Sequence, residues 1–247
     1  MEEKLIVLPY RQKGAQGNEI KLVLNGWKKF CLFKYHFIVI GEFNSSLKEE
    51  FPWVEFIYVP APEKKEGQYM PHLDIQHKMK IVMEKYGEIY DGFIYTSDDK
   101  YPIKPFNQED VTRVFYHSMS FTGRESDPTW YWNHDKWKTR QLLDRERLPH
   151  INYTTHHPYY LEFKKLSEIW ERFNMLEESY VFDDVYFNYF PHEEPILDST
   201  IRLGIWNRSI FEKEFSKAIE NPGIKFVCNS VDGWSKELED ELWKIVS

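Results

Sequence analysis

Three short stretches carry residue types that could do chemistry. FIYTSDDKYPIKPF, residues 93–106, ends an apolar run on the adjacent carboxylates Asp98 and Asp99. Burying an unpaired carboxylate there costs on the order of several kcal/mol, so a positive partner is expected. A hard divalent cation, Mg²⁺ or Mn²⁺, suits such a pair because it takes phosphate oxygens and water as its remaining ligands. The competing reading is a solvated turn in which Asp98 caps a local backbone group. SYVFDDVYFNYF sets Asp183 and Asp184 at the start of an aromatic-rich helix. Carboxylates are stabilised there by the helix dipole, and N-capping by Asp183 accounts for the pair without any reaction. YTTHHPYYLEF places His156 and His157 ahead of a proline. A neutral imidazole near pH 7 serves as metal ligand or base, although most loop histidines do neither.

The elements that must position these residues alternate. Leu5–Tyr10 is an apolar run suited to a parallel strand buried on both faces, and Asn18–Phe30 follows with helical spacing at Ile20, Leu24 and Trp27. Tyr35–Phe43 and Val54–Pro62 give two further strands, the latter closed by prolines. Leu73–Tyr86 reads as a helix with Ile75, Met79, Val82 and Tyr86 on one stripe, and Phe93–Tyr95 is the strand that delivers the acidic pair. Such alternation predicts an α/β fold: a mostly parallel central sheet flanked by helices, with ligands bound beyond the carboxyl ends of the strands.

The second half is expected to be rich in helices. VTRVFYHSMSFTG offers another strand, while HDKWKTRQLLDRERL and YLEFKKLSEIWERFNML read as helices joined by the loop PHINYTTHHPYY. The charges Lys136, Lys138, Arg140, Arg145 and Arg147 on the first of these read mainly as an exposed, ion-paired face, from which one or two could reach a diphosphate. Ile224–Cys228 and the C-terminal stretch close the chain as strand and helix.

At 247 residues, with no repeat and no Gly/Ser linker, the chain fits one domain. Its formal net charge of -8 argues against a broad nucleic-acid footprint. Two cysteines without metal-site spacing point to a reducing compartment, and the acidic start and lack of a long apolar run point to a cytoplasmic protein.

The alternation that ends on Ser97, Asp98 and Asp99 resembles the GT-A class of glycosyltransferases, well over residues Leu5–Phe106 and loosely beyond. The resemblance implies a single GT-A-like domain, with 1–106 as the nucleotide-binding half and 107–247 as the acceptor side with C-terminal helices. It also implies a nucleotide diphosphate sugar as donor, Mn²⁺ or Mg²⁺ as cofactor, and a place in polysaccharide biosynthesis. The acceptor would be a glycan, lipid-linked glycan, protein or small molecule; nucleic acid stays open, with acidity against it. Serine stands at the first acidic position of the D-x-D-type motif, which makes Asp99 the implied metal ligand and Asp98 a ribose or supporting contact. Pro9, Tyr10 and Arg11 would bracket base and ribose, though Arg11 reads equally as a surface charge. A base at a helix start, as in inverting members, maps to Asp184 in preference to Asp183.

The chain also resembles, in part, the Stealth family of sugar-phosphate transferases, matched at Asp98, Asp99 and His157. IVLPYRQKG replaces that family's opening segment, and the arginine expected before the later carboxylate is missing from EESYVFDD. The GT-A reading releases a nucleoside diphosphate and the Stealth reading a monophosphate. A nucleotide- or carbohydrate-binding domain without turnover is the non-enzymatic alternative.

Overall fold

The structure is a computed structural model that describes residues 2–60, 70–118, 131–192 and 194–247. In chain order its elements begin with β1 (Lys4–Arg11), α1 (Glu19–Phe30), β2 (Tyr35–Glu42), α2 (Ser45–Glu50), β3 (Glu55–Tyr58), α3 (Pro71–Tyr86), β4 (Gly92–Tyr95) and β5 (Lys100–Pro102). They continue with α4 (Glu109–Thr112), β6 (Phe115–Tyr116), α5 (Tyr131–Glu146), β7 (Tyr159–Glu162), α6 (Phe163–Phe173) and α7 (Phe182–Tyr189). The last are β8 (Ile196–Leu197), β9 (Arg202–Ile205), α8 (Phe211–Glu220), β10 (Phe226–Asn229) and α9 (Lys236–Val246).

The central five-stranded sheet runs in the order β3-β2-β1-β4-β7. Its first four strands are parallel and β7 is antiparallel to β4. The expected mostly parallel sheet with helices on both faces is therefore what forms. β1 explains why: Leu5 and Val7 enter one apolar cluster with α3 and α6, while Ile6 and Leu8 enter another with α1, α8 and α9. A strand buried on both sides needs apolar residues at every position, and LIVLPY supplies them.

A second sheet, β5-β10-β9, stands beside the first. β5 follows Asp98 and Asp99 directly, so the acidic pair is the turn that carries the chain from the main sheet into the small one. β10 pairs antiparallel with β5 and parallel with β9.

Two expectations shift. The helix expected to begin at Tyr160 begins at Phe163, because Tyr159–Glu162 is drawn into the open edge of β4, with Ile94 opposite Tyr160. The strand expected in VTRVFYHSMSFTG covers Phe115–Tyr116, and residues 119–123 of that stretch lie outside the described residues. Among the described residues no helix is long and apolar enough to cross a membrane.

Candidate active site

A cleft of about 670 Å³ opens where the loops after β1, β4, β9 and β10 meet the start of β7 and the N-terminal ends of α3 and α7. This is the carboxyl end of the parallel strands, where an open α/β sheet leaves room for ligands. Both acidic pairs and the histidine pair reach it, but one member of each of the latter two faces away.

On the β4 side, Ser97, Asp98 and Asp99 line the wall. Asp99 Oδ1 accepts a 2.5 Å hydrogen bond from Ser97 Oγ, and Asp99 Oδ2 lies 3.1 Å from His156 Nδ1. Burial pushes the Asp99 carboxyl up, but the His156 imidazole, Lys100 and the Ser97 hydroxyl prevail and hold it at about 2. Asp98 is driven the other way. Burial raises it well above the carboxylate range, and the neighbouring charges of Asp99 and Glu19 add to the rise, with the Lys78 ammonium acting against it. Glu19 begins α1 and accepts hydrogen bonds from Gln16 N–H (2.7 Å), Asn229 Nδ2 (3.1 Å) and Tyr101 OH (3.3 Å). Burial raises its carboxyl as well.

Asp183 sits in the first turn of α7 and also lines the wall; Asp184 does not. Successive helical residues point roughly 100° apart, so only one of the two can face the ligand space. Asp184 is fully buried and turned inward, where it accepts hydrogen bonds from Tyr153 N–H (2.5 Å) and Thr154 Oγ1 (2.9 Å). Asp184, the residue preferred above as the base, therefore faces the core, and Asp183 is the member of the pair at the cleft. Asp183 accepts from the Asp184 N–H at 3.1 Å and bonds to the Tyr159 hydroxyl. Burial raises its carboxyl, opposed by the charges of Lys100 and Lys136.

The histidines divide in the same way. His156 adopts a left-handed backbone (φ 46), and this turn sends the two adjacent rings to opposite sides. His156 enters the cleft, bonded to Asp99 and edge-on to Trp206 at 5.2 Å. His157 is buried between Phe115 and Phe226, with ring centroids 4.5 and 4.7 Å away, and its Nε2 lies 2.7 Å from the Asp110 carbonyl oxygen. Its burial lowers the imidazole to about 3. The expectation that His157 belongs to the site is corrected: it is a core residue that anchors the loop before β7.

Pro9 and Tyr10, both buried, and the half-buried Arg11 end β1 and are not among the described cleft walls; Gly14 and Gln16, just downstream, are. Tyr10 lies behind the acidic wall. Its hydroxyl is pushed up by burial and by Asp98 and Glu19, and its carbonyl accepts from Lys78 Nζ at 3.1 Å.

Sequence reasoning missed Lys100, Glu19, Tyr159 and Trp206. Lys100 is buried next to the acidic pair, its ammonium 4.6 Å from the Tyr95 ring centroid and 5.1 Å from that of Tyr159, and it donates to the His157 carbonyl at 3.3 Å. Burial lowers it to about 8, against the pull of Asp99 and Asp183 on either side. A lysine directly after two aspartates was the available signal. For Glu19 and Trp206 there was none, because the elements that bring them here are distant in sequence.

The oxygen set suits a hard divalent cation. Asp98 and Asp99 share one wall, and Asp98 carries an excess of like charge that such an ion would offset. Among the described residues no group of three or more metal-binding side chains is present, so part of the coordination sphere would come from ligand and water.

No protein-family model matches the chain, and no curated protein matches it. Among solved structures, the chain is similar to a glycosyltransferase involved in the glycosylation of the major capsid of PBCV-1. Identity there is 12%, covering 97% of this chain and 98% of that one, with a TM-score of 0.42. It is also similar to mouse xyloside xylosyltransferase 1 in its apo form, at 10% identity over 95% of this chain and 100% of that one, with a TM-score of 0.47.

Proposed function

We propose that the protein is a metal-dependent glycosyltransferase that moves a sugar from a nucleoside diphosphate sugar to an acceptor hydroxyl. The observation that carries this reading is that one cleft at the strand ends is lined both by the pair Asp98–Asp99 and by the separate carboxylate Asp183, which comes from another element. Sugar transfer needs two such groups in different jobs: one side holds the leaving diphosphate, and the other takes the proton of the attacking hydroxyl.

Asp98 and Asp99 would hold Mn²⁺ or Mg²⁺. Bound there, the ion supplies neutralisation of the charge that grows on the departing diphosphate. Asp99, fixed by His156 and Ser97, is the ligand that carries its charge most readily, and Asp98 stands beside it as the second. Asp183 is the base of an inverting reaction. Its raised affinity for a proton suits that role, since a base works best when its pKa approaches the operating pH. Lys100, whose charge acts on both Asp99 and Asp183, lends the cleft its one buried ammonium among the described wall residues. The Stealth-like alternative has no support here, because His157 lies in the core with its ring directed at a backbone carbonyl.

The test is to incubate the protein with a panel of nucleoside diphosphate sugars and Mn²⁺ and to identify the released nucleotide by chromatography. A diphosphate whose release is abolished by EDTA is expected. A monophosphate would overturn glycosyl transfer, and release undiminished by EDTA would overturn the role given to the cation.

A further inference from the structure

A second cavity, of about 310 Å³, lies against the first, and Trp206 lines both. Its floor is the buried pair Asp198 and Arg202, and α8 contributes Glu214 and Lys217 to its side. Neither proposed catalytic wall reaches it.

Trp206 is 39% exposed, unusual for so large an apolar side chain, yet it is held in a fixed place. Arg202, Gly204 and Trp206 alternate along β9 and its end, so they share one face. The middle position has no side chain, and this lets the indole lie over the strand. A Cβ at Gly204 would stand 2.5 Å from the Trp206 ring and 2.7 Å from an Arg202 guanidinium nitrogen. Arg202, anchored by Asp198 and by Cys228 Sγ at 3.4 Å, supports the ring with its guanidinium carbon 5.4 Å from the centroid. His156 meets it edge-on from the cleft side. An exposed aromatic ring fixed by its neighbours is a platform for a ligand that has one apolar face.

The charges around the cavity select among ligands. Asp198 pairs with Arg202, and Glu214 with Lys217 at 2.8 Å, so the lining is polar but balanced. A phosphate or other anion would find no excess positive charge, and an alkyl chain would strip water from these groups without replacing their hydrogen bonds. A neutral sugar ring meets both conditions, with its C–H face against the indole and its hydroxyls toward the paired side chains.

We infer that this cavity binds a neutral sugar unit of the acceptor, so that the acceptor is an oligosaccharide spanning from Asp183 across Trp206. The inference rests on the transferase reading above for the word acceptor, but the binding of sugar to the cavity does not.

The test uses the whole protein without nucleotide or metal, screened against an immobilised panel of neutral oligosaccharides, with the best-retained member then titrated by calorimetry. Retention of at least one member is expected, with Trp206→Ala weakening it by about tenfold or more and Trp206→Phe restoring most of the loss. Gly204→Ala, which displaces the indole without removing it, is expected to weaken binding in the same direction. Unfolding midpoints of all three variants check that they fold. No retention by the wild type, or equal affinity in Trp206→Ala, overturns the assignment. Nucleotide release by the wild type is scored separately: sugar binding that depends on Trp206 without any donor turnover keeps the cavity and sinks the transferase reading, and turnover without sugar retention does the reverse.

Discussion

Asp183 and Asp184 are one position apart in sequence and belong to different parts of the molecule. Asp184→Asn leaves one of two buried donors, the Tyr153 N–H or the Thr154 hydroxyl, facing an amide that cannot accept from both as a carboxylate does. A loss of about 1–3 kcal/mol of stability is expected, with the rate per folded molecule retained. Asp183→Asn should do the opposite, lowering kcat by about 10²-fold or more with near-normal denaturant unfolding. Equal loss of rate in both variants would show that the two carboxylates act together. His157 yields a pH prediction. Its imidazole falls from an ordinary 6.5 to about 3 on folding, so the unfolded chain takes up the proton first, and stability that is complete above about pH 6.5 is lost as the pH drops toward 3. At pH 5 that loss is about 2 kcal/mol from this residue. Urea unfolding at pH 7 and pH 5 should show a smaller difference for His157→Gln than for the wild type by about that amount; an unchanged difference would contradict the assignment. The sequence revealed each pair but not its orientation, because the direction of a side chain depends on helix phase at Asp183 and on a left-handed backbone at His156, and neither is written in residue type.

At the level of elements, Lys78 ties α3 to β1 and pairs with an acid of its own helix. Lys78 Nζ lies 2.7 Å from Asp74 Oδ2 one turn earlier and donates to the Tyr10 carbonyl at the end of β1, and both side chains are almost wholly buried. The same ammonium also acts through its charge on Asp98. Lys78→Met should cost about 3–5 kcal/mol, since it leaves the Asp74 carboxylate buried without its cation, whereas Asp74→Leu combined with Lys78→Met should recover much of that loss. Denaturant midpoints of the two variants decide the matter, and a double variant no better than the single one would mean that the pair is needed for more than its own neutralisation. β1, β2 and β4 were legible because they are buried and so written as apolar runs, and β3, a half-exposed edge strand, was legible from its short aromatic and β-branched run ahead of the prolines. β7, β9 and α8 were not. Their strand and helix boundaries are set by the edge of β4 and by β10, partners far away in the chain, and YYLE carries no signal of its own that distinguishes an edge strand from the first turn of a helix.

At the scale of the molecule, residues 1–106 and 107–247 share one core. Trp27 and Phe106 pack in the same apolar cluster as Phe226 and Leu242, β7 completes the sheet that β4 begins, and β10 zips against β5. Residues 1–106 alone would leave the edges of β4 and β5 without those partners, so the chain is expected to unfold in a single transition by both far-UV and near-UV dichroism. Ligand in the cleft should move that whole transition. Two carboxylates make a weak cation site until phosphate oxygens complete it, so Mn²⁺ alone should stabilise little, while Mn²⁺ with a nucleoside diphosphate at about a hundred times its Kd should add about 2.7 kcal/mol. Asp98→Asn should erase the part of the shift that needs the cation and leave whatever the nucleotide contributes in EDTA. A shift by UDP or GDP that is as large in EDTA as in Mn²⁺ would count against the cation at Asp98 and Asp99. Two transitions, with ligand moving only one, would mean that the cleft is built on one half of the chain rather than on the core they share.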